Sequence, residues 1–146
     1  WTSCQTISSI LLTMCSIFTN NPLLNEPGVG VGHPDIDKYN DIIEYKNIEI
    51  AILNIVSKHP SLYLPMFDLF RDVVLDKFIE HNERIQNRIT NLIHTKPPHT
   101  ITTRMYSMMF DLDYNSLGVH FNKVKGTLPS GTKTDTVMDT AKIDSV

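Results

Sequence analysis

The fold is decided by residues 1–27, which read WTSCQTISSILLTMCSIFTNNPLLNEP. Apolar side chains recur here at the spacing of one face of an α-helix. Thr2 and Gln5 match a capping box, so we expect the helix to begin near Ser3. The Asn-Asn-Pro at residues 20–22 ends it. The apolar stripe, which we expect to face a core, consists of Ile7, Ile10, Leu11, Met14 and Phe18.

The remainder of the chain also has helical periodicity, and no segment alternates for long enough to predict a strand. Pro34 and Asp35 suit the first turn of a second helix, because proline fits there and an acidic residue interacts favourably with the helix dipole. We expect the longest helix to bend near His81. From Thr127 onward, the polar composition without a period predicts disorder. The helical segments predicted after the first are 35–59, 64–94, 101–112 and 114–124.

Composition excludes several classes of function. The net charge of −3 comes without a basic stripe, so we expect no nucleic-acid partner. No apolar run approaches the length of a membrane span, and no secretory signal is visible, so we expect no membrane and an intracellular location, cytoplasmic or nuclear. The two cysteines form no disulfide framework. Because the chain begins with Trp1 rather than methionine, we expect a fragment or a processed chain.

The two thiols differ in their predicted surroundings. Cys15 lies beside the apolar stripe and is predicted to be buried and inert. Cys4 falls in the first turn of the predicted helix, where the dipole lowers a thiol pKa, so a reactive role and a plain surface position both stay open. His94 and His99 lack companions at ligand spacing, which predicts no metal site. The glycines of residues 28–32 match no nucleotide fingerprint, and we expect no cofactor.

The first helix carries a second face, opposite the stripe. On it, Ser9, Leu12, Thr13 and Ser16 repeat at helical spacing, and Leu12 is its one apolar member. Small hydroxyl residues around one leucine suit a partner that approaches closely. Isolated leucines are also common on ordinary surfaces, so this reading competes with that of a plain solvated face.

Several short strings in residues 1–27 match one known pattern. Trp1-Thr2-Ser3, Thr6-Ile7-Ser8, the run from Leu11 to Ser16, Asn21-Pro22 and Glu26-Pro27 resemble the sequence that follows the catalytic cysteine in ubiquitin-conjugating (E2) enzymes. The following residues, through Ala51-Ile52-Leu53, are similar to the large E2 domains, among them that of the giant inhibitor-of-apoptosis protein Apollon (BRUCE). Beyond Leu92 no firm resemblance is visible.

The resemblance implies a fold class. The chain is then mainly α, the C-terminal helical half of an α+β E2 (UBC) fold that lacks the N-terminal β-meander. Without that sheet, we expect the stripe on the first helix to stay uncovered. The implied domains are residues 1–94 for the E2 part, 95–126 for a helical extension and 127–146 for a disordered tail.

The resemblance also implies a function, in which ubiquitin is carried as a cysteine thioester and passed to lysine. The nucleophile would lie upstream of Trp1, and Glu26 would be the supporting acidic loop residue. The face around Leu12 would bind donor ubiquitin. The ligase-binding loop would contain Trp1, Ser3 and Cys4, with Ser3 in place of the family's proline. Implied partners are ubiquitin or a ubiquitin-like protein, an activating enzyme and a ligase.

Two other interpretations remain open. The chain could be a catalytically inactive E2-like or helical interaction module, or an unrelated helical bundle. A His-Pro-Asn motif and a cysteine encoded upstream of Trp1 would favour the enzyme over the interaction module.

Overall fold

A computed structural model describes residues 6–128 of the chain. This part contains four α-helices and one two-stranded antiparallel hairpin, with short 3₁₀ and π segments between them, which confirms the prediction of a mainly α chain. In chain order the elements are α1 (Ile7–Ser16), a 3₁₀ helix (Pro22–Asn25), α2 (Ile36–Lys46), a π-helix (Asn47–Asn54), a 3₁₀ helix (Pro65–Phe70), α3 (Arg71–Thr95), β1 (His99–Thr102), a 3₁₀ turn (Met105–Ser107), β2 (Met109–Leu112) and α4 (Tyr114–Gly126).

The core is formed where α2, the π-helix, α3, the hairpin and α4 meet. Aromatic pairs join these elements: the Tyr45 and Tyr114 rings meet edge-on at 5.4 Å, and the Phe78 and Phe121 rings are 5.9 Å apart. Gly118 lets α4 approach α3 closely, because a Cβ there would lie 3.2 Å from an Ile93 methyl group. The core cluster consists of Ile42, Tyr45, Ile48, Leu53, Val56, Phe78, Ile89, Leu92, Ile101, Leu112, Tyr114, Leu117, Phe121 and Val124. The residues of this cluster come from both sides of the domain boundary predicted at residue 94, and that boundary stays a prediction.

The helix predicted over 101–112 is wrong, because this segment forms the hairpin. His99 pairs with Leu112 and Thr102 with Met109 in an antiparallel register. The turn requires left-handed backbone at Tyr106 (φ 60°) and Ser107 (φ 47°), which a helix cannot include. Burial of Ile101 and Leu112 in the core stabilises this arrangement over the local helical spacing of the methionines.

The first helix begins later than predicted. Thr6, not Thr2, is the N-cap, and its side chain and that of Ser9 bond reciprocally to each other's backbone N–H groups. The prediction that Cys15 is buried is also wrong, since Cys15 is exposed. The third predicted helix is split into a 3₁₀ turn and α3, which runs through His81 without interruption. The predicted disordered tail lies, from residue 129, outside the described residues.

Candidate functional site

The helix α1 buries none of its residues. Four residues of the apolar stripe are exposed, with Ile7 and Phe18 leaving 77% and 78% of their surface in solvent, and Ile10 is half-buried. On the opposite face, Leu12 is exposed to 72%. Both faces of the helix are therefore open to partners, and neither is held against the core of the described chain.

The hydroxyl groups around Leu12 are already bonded within the helix. Ser9 Oγ donates to the Thr6 carbonyl at 2.8 Å, Thr13 Oγ1 to the Ser9 carbonyl at 2.9 Å, and Ser16 Oγ to the Thr13 carbonyl at 2.7 Å. A partner that covers this face therefore leaves no hydroxyl donor without an acceptor, which reduces the desolvation cost of binding. The structure places the four predicted residues together on one face of α1, with Leu12 as its apolar centre.

Glu26 lies in the loop that follows α1, at the end of the first 3₁₀ helix. Its backbone N–H donates to the carbonyl of Leu23, whose side chain is completely buried. The adjacent Asn25 Nδ2 donates to the Ile17 carbonyl at 2.8 Å, which ties the loop to the end of α1. Glu26 as a whole is half-buried, on a loop whose backbone is hydrogen-bonded on both sides of it.

Sequence analysis did not single out Tyr106, in the turn of the hairpin. Interaction with the Glu26 carboxylate, together with desolvation, raises the pKa of the Tyr106 phenol above its ordinary value of 10.0. No local signal could have identified it, because Tyr106 is 80 positions from Glu26 in the sequence and lay in a segment predicted to be helical.

Asp35 lies at the start of α2, as its N-cap residue, which agrees with the prediction, and its side chain also fixes the turn that carries Tyr106. Its side chain is 1% exposed, and Asp35 Oδ2 accepts the backbone N–H groups of Arg104 at 2.8 Å and Met105 at 2.9 Å. These bonds, that of Met105 foremost, lower the pKa of Asp35 below its ordinary value of 3.8. Asp35 is thus an anchor between α2 and the hairpin.

The residues predicted to contact a ligase, Trp1, Ser3 and Cys4, lie outside the described residues. Their role stays a prediction.

A polar groove of about 950 Å³ runs between α2 and α3. Four of its charges are paired across it: Arg88 makes a bidentate ion pair with Glu44, at 2.5 and 2.9 Å, and Lys96 pairs with Asp41. These pairs join the helices and leave little net charge for a ligand. Among residues 6–128, no three His, Cys, Asp or Glu side chains are grouped as a metal site. No helix in that range has the length and hydropathy of a membrane span.

Sequence comparison gives this arrangement a context. The chain is 29% identical over 96 residues to ubiquitin-conjugating enzyme E2 Z of Homo sapiens, covering 64% of the chain and 26% of the relative. It is 36% identical over 100 residues to the Danio rerio protein of the same name, covering 60% of the chain and 30% of the relative. The chain is distantly similar to ubiquitin-conjugating enzymes. No family model matches it.

The similarity to these E2 enzymes covers only part of this chain and only part of each relative. The Xenopus tropicalis E2 Z is 25% identical over 100 residues, and that match covers 32% of the relative. The aligned part thus spans about a quarter to a third of the relatives' length, 26–32%. The narrower resemblance to Apollon stays a prediction.

Proposed function

We propose that this chain supplies part of an E2 domain that carries ubiquitin, or a ubiquitin-like protein, as a cysteine thioester and transfers it to lysine. The observation that carries the proposal is the similarity to ubiquitin-conjugating enzyme E2 Z over 60–64% of the chain. The nucleophilic cysteine is placed upstream of Trp1. An activating enzyme and a ligase are the further partners, the ligase meeting the segment that contains Trp1, Ser3 and Cys4.

The reaction requires a lysine amine to lose its proton. The amine nitrogen attacks the thioester carbonyl carbon, a C–N bond forms, the C–S bond breaks, and the cysteine leaves as thiolate. An acidic side chain beside the incoming amine orients it by accepting a hydrogen bond, and the proton passes from the nitrogen to that carboxylate and then to water. Glu26 suits this role because its backbone N–H is bonded to the carbonyl of buried Leu23, while the residue as a whole is only half-buried.

The face of Ser9, Leu12, Thr13 and Ser16 is proposed to hold the donor ubiquitin during transfer. Support comes from its geometry, since Leu12 projects from a surface whose hydroxyl donors are satisfied within the helix. A partner gains apolar contact with Leu12 without losing hydrogen bonds elsewhere on the face. The opposite stripe is then free to pack on a sheet from the rest of the E2 domain.

The proposal is tested on the full-length protein incubated with activating enzyme, ATP and ubiquitin. We expect an adduct that is lost on reduction, and we expect Cys15→Ser to leave it unchanged. Glu26→Gln should keep adduct formation and slow the discharge onto free lysine by roughly tenfold or more. Glu26→Asp is the matched control, because it retains the carboxylate.

Failure to form any reducible adduct, with a panel of activating enzymes and ubiquitin-like proteins, would refute the enzymatic proposal and favour the catalytically inactive interaction module. An adduct that forms and discharges at an unchanged rate in Glu26→Gln would retain the carrier function and remove the role of Glu26.

A further inference from the structure

An apolar groove runs between α3 and the end of the π-helix. It consists of two cavities, of about 210 and 280 Å³, which share Ile55 and Val74 as lining residues. Its floor belongs to the core, since Val56 and Phe78 are buried, and most of its other side chains are half-buried. Each cavity is smaller than the roughly 300–1,000 Å³ of a typical small-molecule site. The groove is therefore suited to a row of inserted side chains rather than to one enclosed ligand.

The wall that α3 contributes has the spacing of a helix-packing seam. The residues of α3 at 71, 74, 78, 81 and 85 follow one another in steps of three and four, and all of them line the groove. A row with this spacing is what one helix presents to a second helix along its length. At 1.5 Å per residue the row extends about 21 Å, which accommodates about four turns of a partner helix.

The apolar surface continues from the groove onto an exposed rim. Phe70 lines one cavity and leaves 62% of its surface in solvent, and Met66, on the same 3₁₀ helix, leaves 63%. Exposed apolar side chains grouped beside a groove are typical of interaction sites. The π-helix is a second indication, because π-helical segments are rare and occur frequently at functional sites. Covering both the groove and its rim requires a partner of macromolecular size.

The charged side chains that line the groove are all basic types. They are Arg71, Lys77 and His81, and no aspartate or glutamate lines either cavity. Arg71 Nη1 donates to the Ile55 carbonyl at 3.2 Å, and the guanidinium forms no salt bridge within residues 6–128. Lys77 pairs with Glu80 at 2.6 Å, but both side chains are more than half exposed, and such surface pairs contribute little. An incoming carboxylate can therefore pair with Arg71 and, in exchange for Glu80, with Lys77.

The other carboxylates of this region are directed elsewhere. Asp68 pairs with Lys58 at 2.5 Å and accepts the Tyr63 hydroxyl at 2.9 Å. Asp72 and Asp76 of α3 are exposed and do not line the groove. The groove thus presents an apolar surface with positive charge, although the chain as a whole has a net charge of −3.

We propose that this groove is a docking site for an acidic amphipathic helix of a partner protein. The apolar side chains of the helix fill the two cavities, and its carboxylates pair with Arg71 and Lys77. Laying the apolar face of a helix into a groove is a recurring mode of recognition between proteins. A basic helix would bring its ammonium groups against Arg71 and Lys77, so the same charges exclude it. The docking site is independent of the thioester chemistry proposed above.

The charge preference is tested with the 146-residue chain and a displayed library of helical peptides of about 14 residues, the length of the seam. The apolar positions vary among leucine, isoleucine, methionine and phenylalanine, and the flanking positions vary among glutamate, lysine and glutamine. We expect the binders to be enriched in glutamate and to shift the amide signals of residues 51–56 and of α3. Binders enriched in lysine or glutamine, or a library without binders, would overturn the proposal.

The location is tested with matched variants and the tightest glutamate-rich peptide. Phe70→Ala should weaken binding roughly tenfold or more. Phe18→Ala makes the same change at an exposed position of α1 and should have no effect. Lys77→Glu should weaken binding roughly fivefold to tenfold, whereas Lys123→Glu, the same change at an exposed position of α4, should not. The changed side chains are mainly exposed, so we expect urea unfolding to show that all four variants fold.

Three results would contradict the docking site. Loss of affinity in Phe18→Ala but not in Phe70→Ala would place the peptide on the stripe of α1. Equal losses in Lys77→Glu and Lys123→Glu would show that the peptide responds to net charge and not to the groove. Oleate that binds more tightly than the peptide and displaces it would make the groove a site for an acyl chain.

Discussion

Leu12 offers the most direct test of the surface on α1, because folding and function make opposite demands on it. In the described chain Leu12 leaves 72% of its surface in solvent, and α1 has no buried residue against which it could pack. Its neighbour Leu11 lies on the apolar stripe. We expect Leu12→Ala to impair transfer and Leu11→Ala to impair folding of the complete domain. Both changes replace leucine by alanine at adjacent positions of one helix. Because leucine and alanine both have high helix propensity, neither change should disturb the helix itself.

The magnitude follows from the exposed fraction. Complete burial of a leucine side chain contributes about 1.5–3 kcal/mol, so covering the 72% that is exposed contributes about 1–2 kcal/mol. If donor ubiquitin covers Leu12 only when discharge occurs, the loss appears in the rate of discharge, as roughly fivefold to thirtyfold. The part of Leu12 already covered is small, so Leu12→Ala should lower the free energy of unfolding by less than about 1 kcal/mol.

The assay separates the steps in the full-length protein. Thioester formation is followed on non-reducing gels, discharge onto lysine is followed after the activating enzyme is quenched, and stability is followed by urea unfolding. Leu12→Asp should have the same pattern with a larger effect on discharge, because it also introduces a charge. Unchanged discharge in both variants would refute the donor-binding face. Loss of stability with both steps impaired would show that Leu12 belongs to the core and that the helix is rotated from the orientation we assign.

Three further expectations concern the described chain itself. Tyr114 Oη is buried without a hydrogen-bond partner among residues 6–128, so Tyr114→Phe should raise the free energy of unfolding by about 1 kcal/mol, and a decrease in urea unfolding would contradict this. The pKa of Asp35 is lowered by backbone hydrogen bonds, that of Met105 first, so its contribution is complete above the unfolded-state pKa and is lost as pH falls through the folded-state pKa. Asp35→Asn should therefore destabilise the protein near neutral pH and weaken its loss of stability as pH falls below about 5; an unaltered pH dependence would exclude this role. The exposed stripe on α1 should make the isolated chain self-associate, and Phe18→Lys should reduce the association measured by sedimentation, whereas a wild-type monomer at all concentrations would argue against an adhesive stripe.

Periodicity predicted the helices well and the hairpin not at all. The stripe on α1 and the segments that became α2, α3 and α4 have apolar residues at helical spacing, and local spacing is sufficient for such elements. The hairpin depends on contacts between residues that are far apart in the sequence, which a short stretch of sequence does not contain. Its strands are four residues each, and buried Asp35 anchors its turn. The start of α1 was misplaced because the sequence offers two capping pairs within residues 2–9, Thr2–Gln5 and Thr6–Ser9, and the second pair forms the cap.

The candidate site was predictable only where it is local in sequence. Ser9, Leu12, Thr13 and Ser16 share a face by helical geometry alone, and the exposure of Leu12 agrees with that inference. The burial of Cys15 was misjudged because proximity to an apolar stripe buries a thiol only when another element covers the stripe, and α1 has no buried residue. The position of Tyr106 could not be predicted, because the turn that carries it is held by Asp35, at the start of α2.

The anchor at Asp35 has a consequence for the order in which the chain folds. The hydrogen bonds to Arg104 and Met105 close a loop of about seventy residues, and contacts of such sequence separation form late because the loop-closure entropy must first be offset by other contacts. The amides of Arg104 and Met105 should accordingly be among the last to gain protection in pulsed hydrogen exchange during refolding. The turn that carries Tyr106 is then assembled only in a chain that has completed its folding, and a partly folded molecule does not display it.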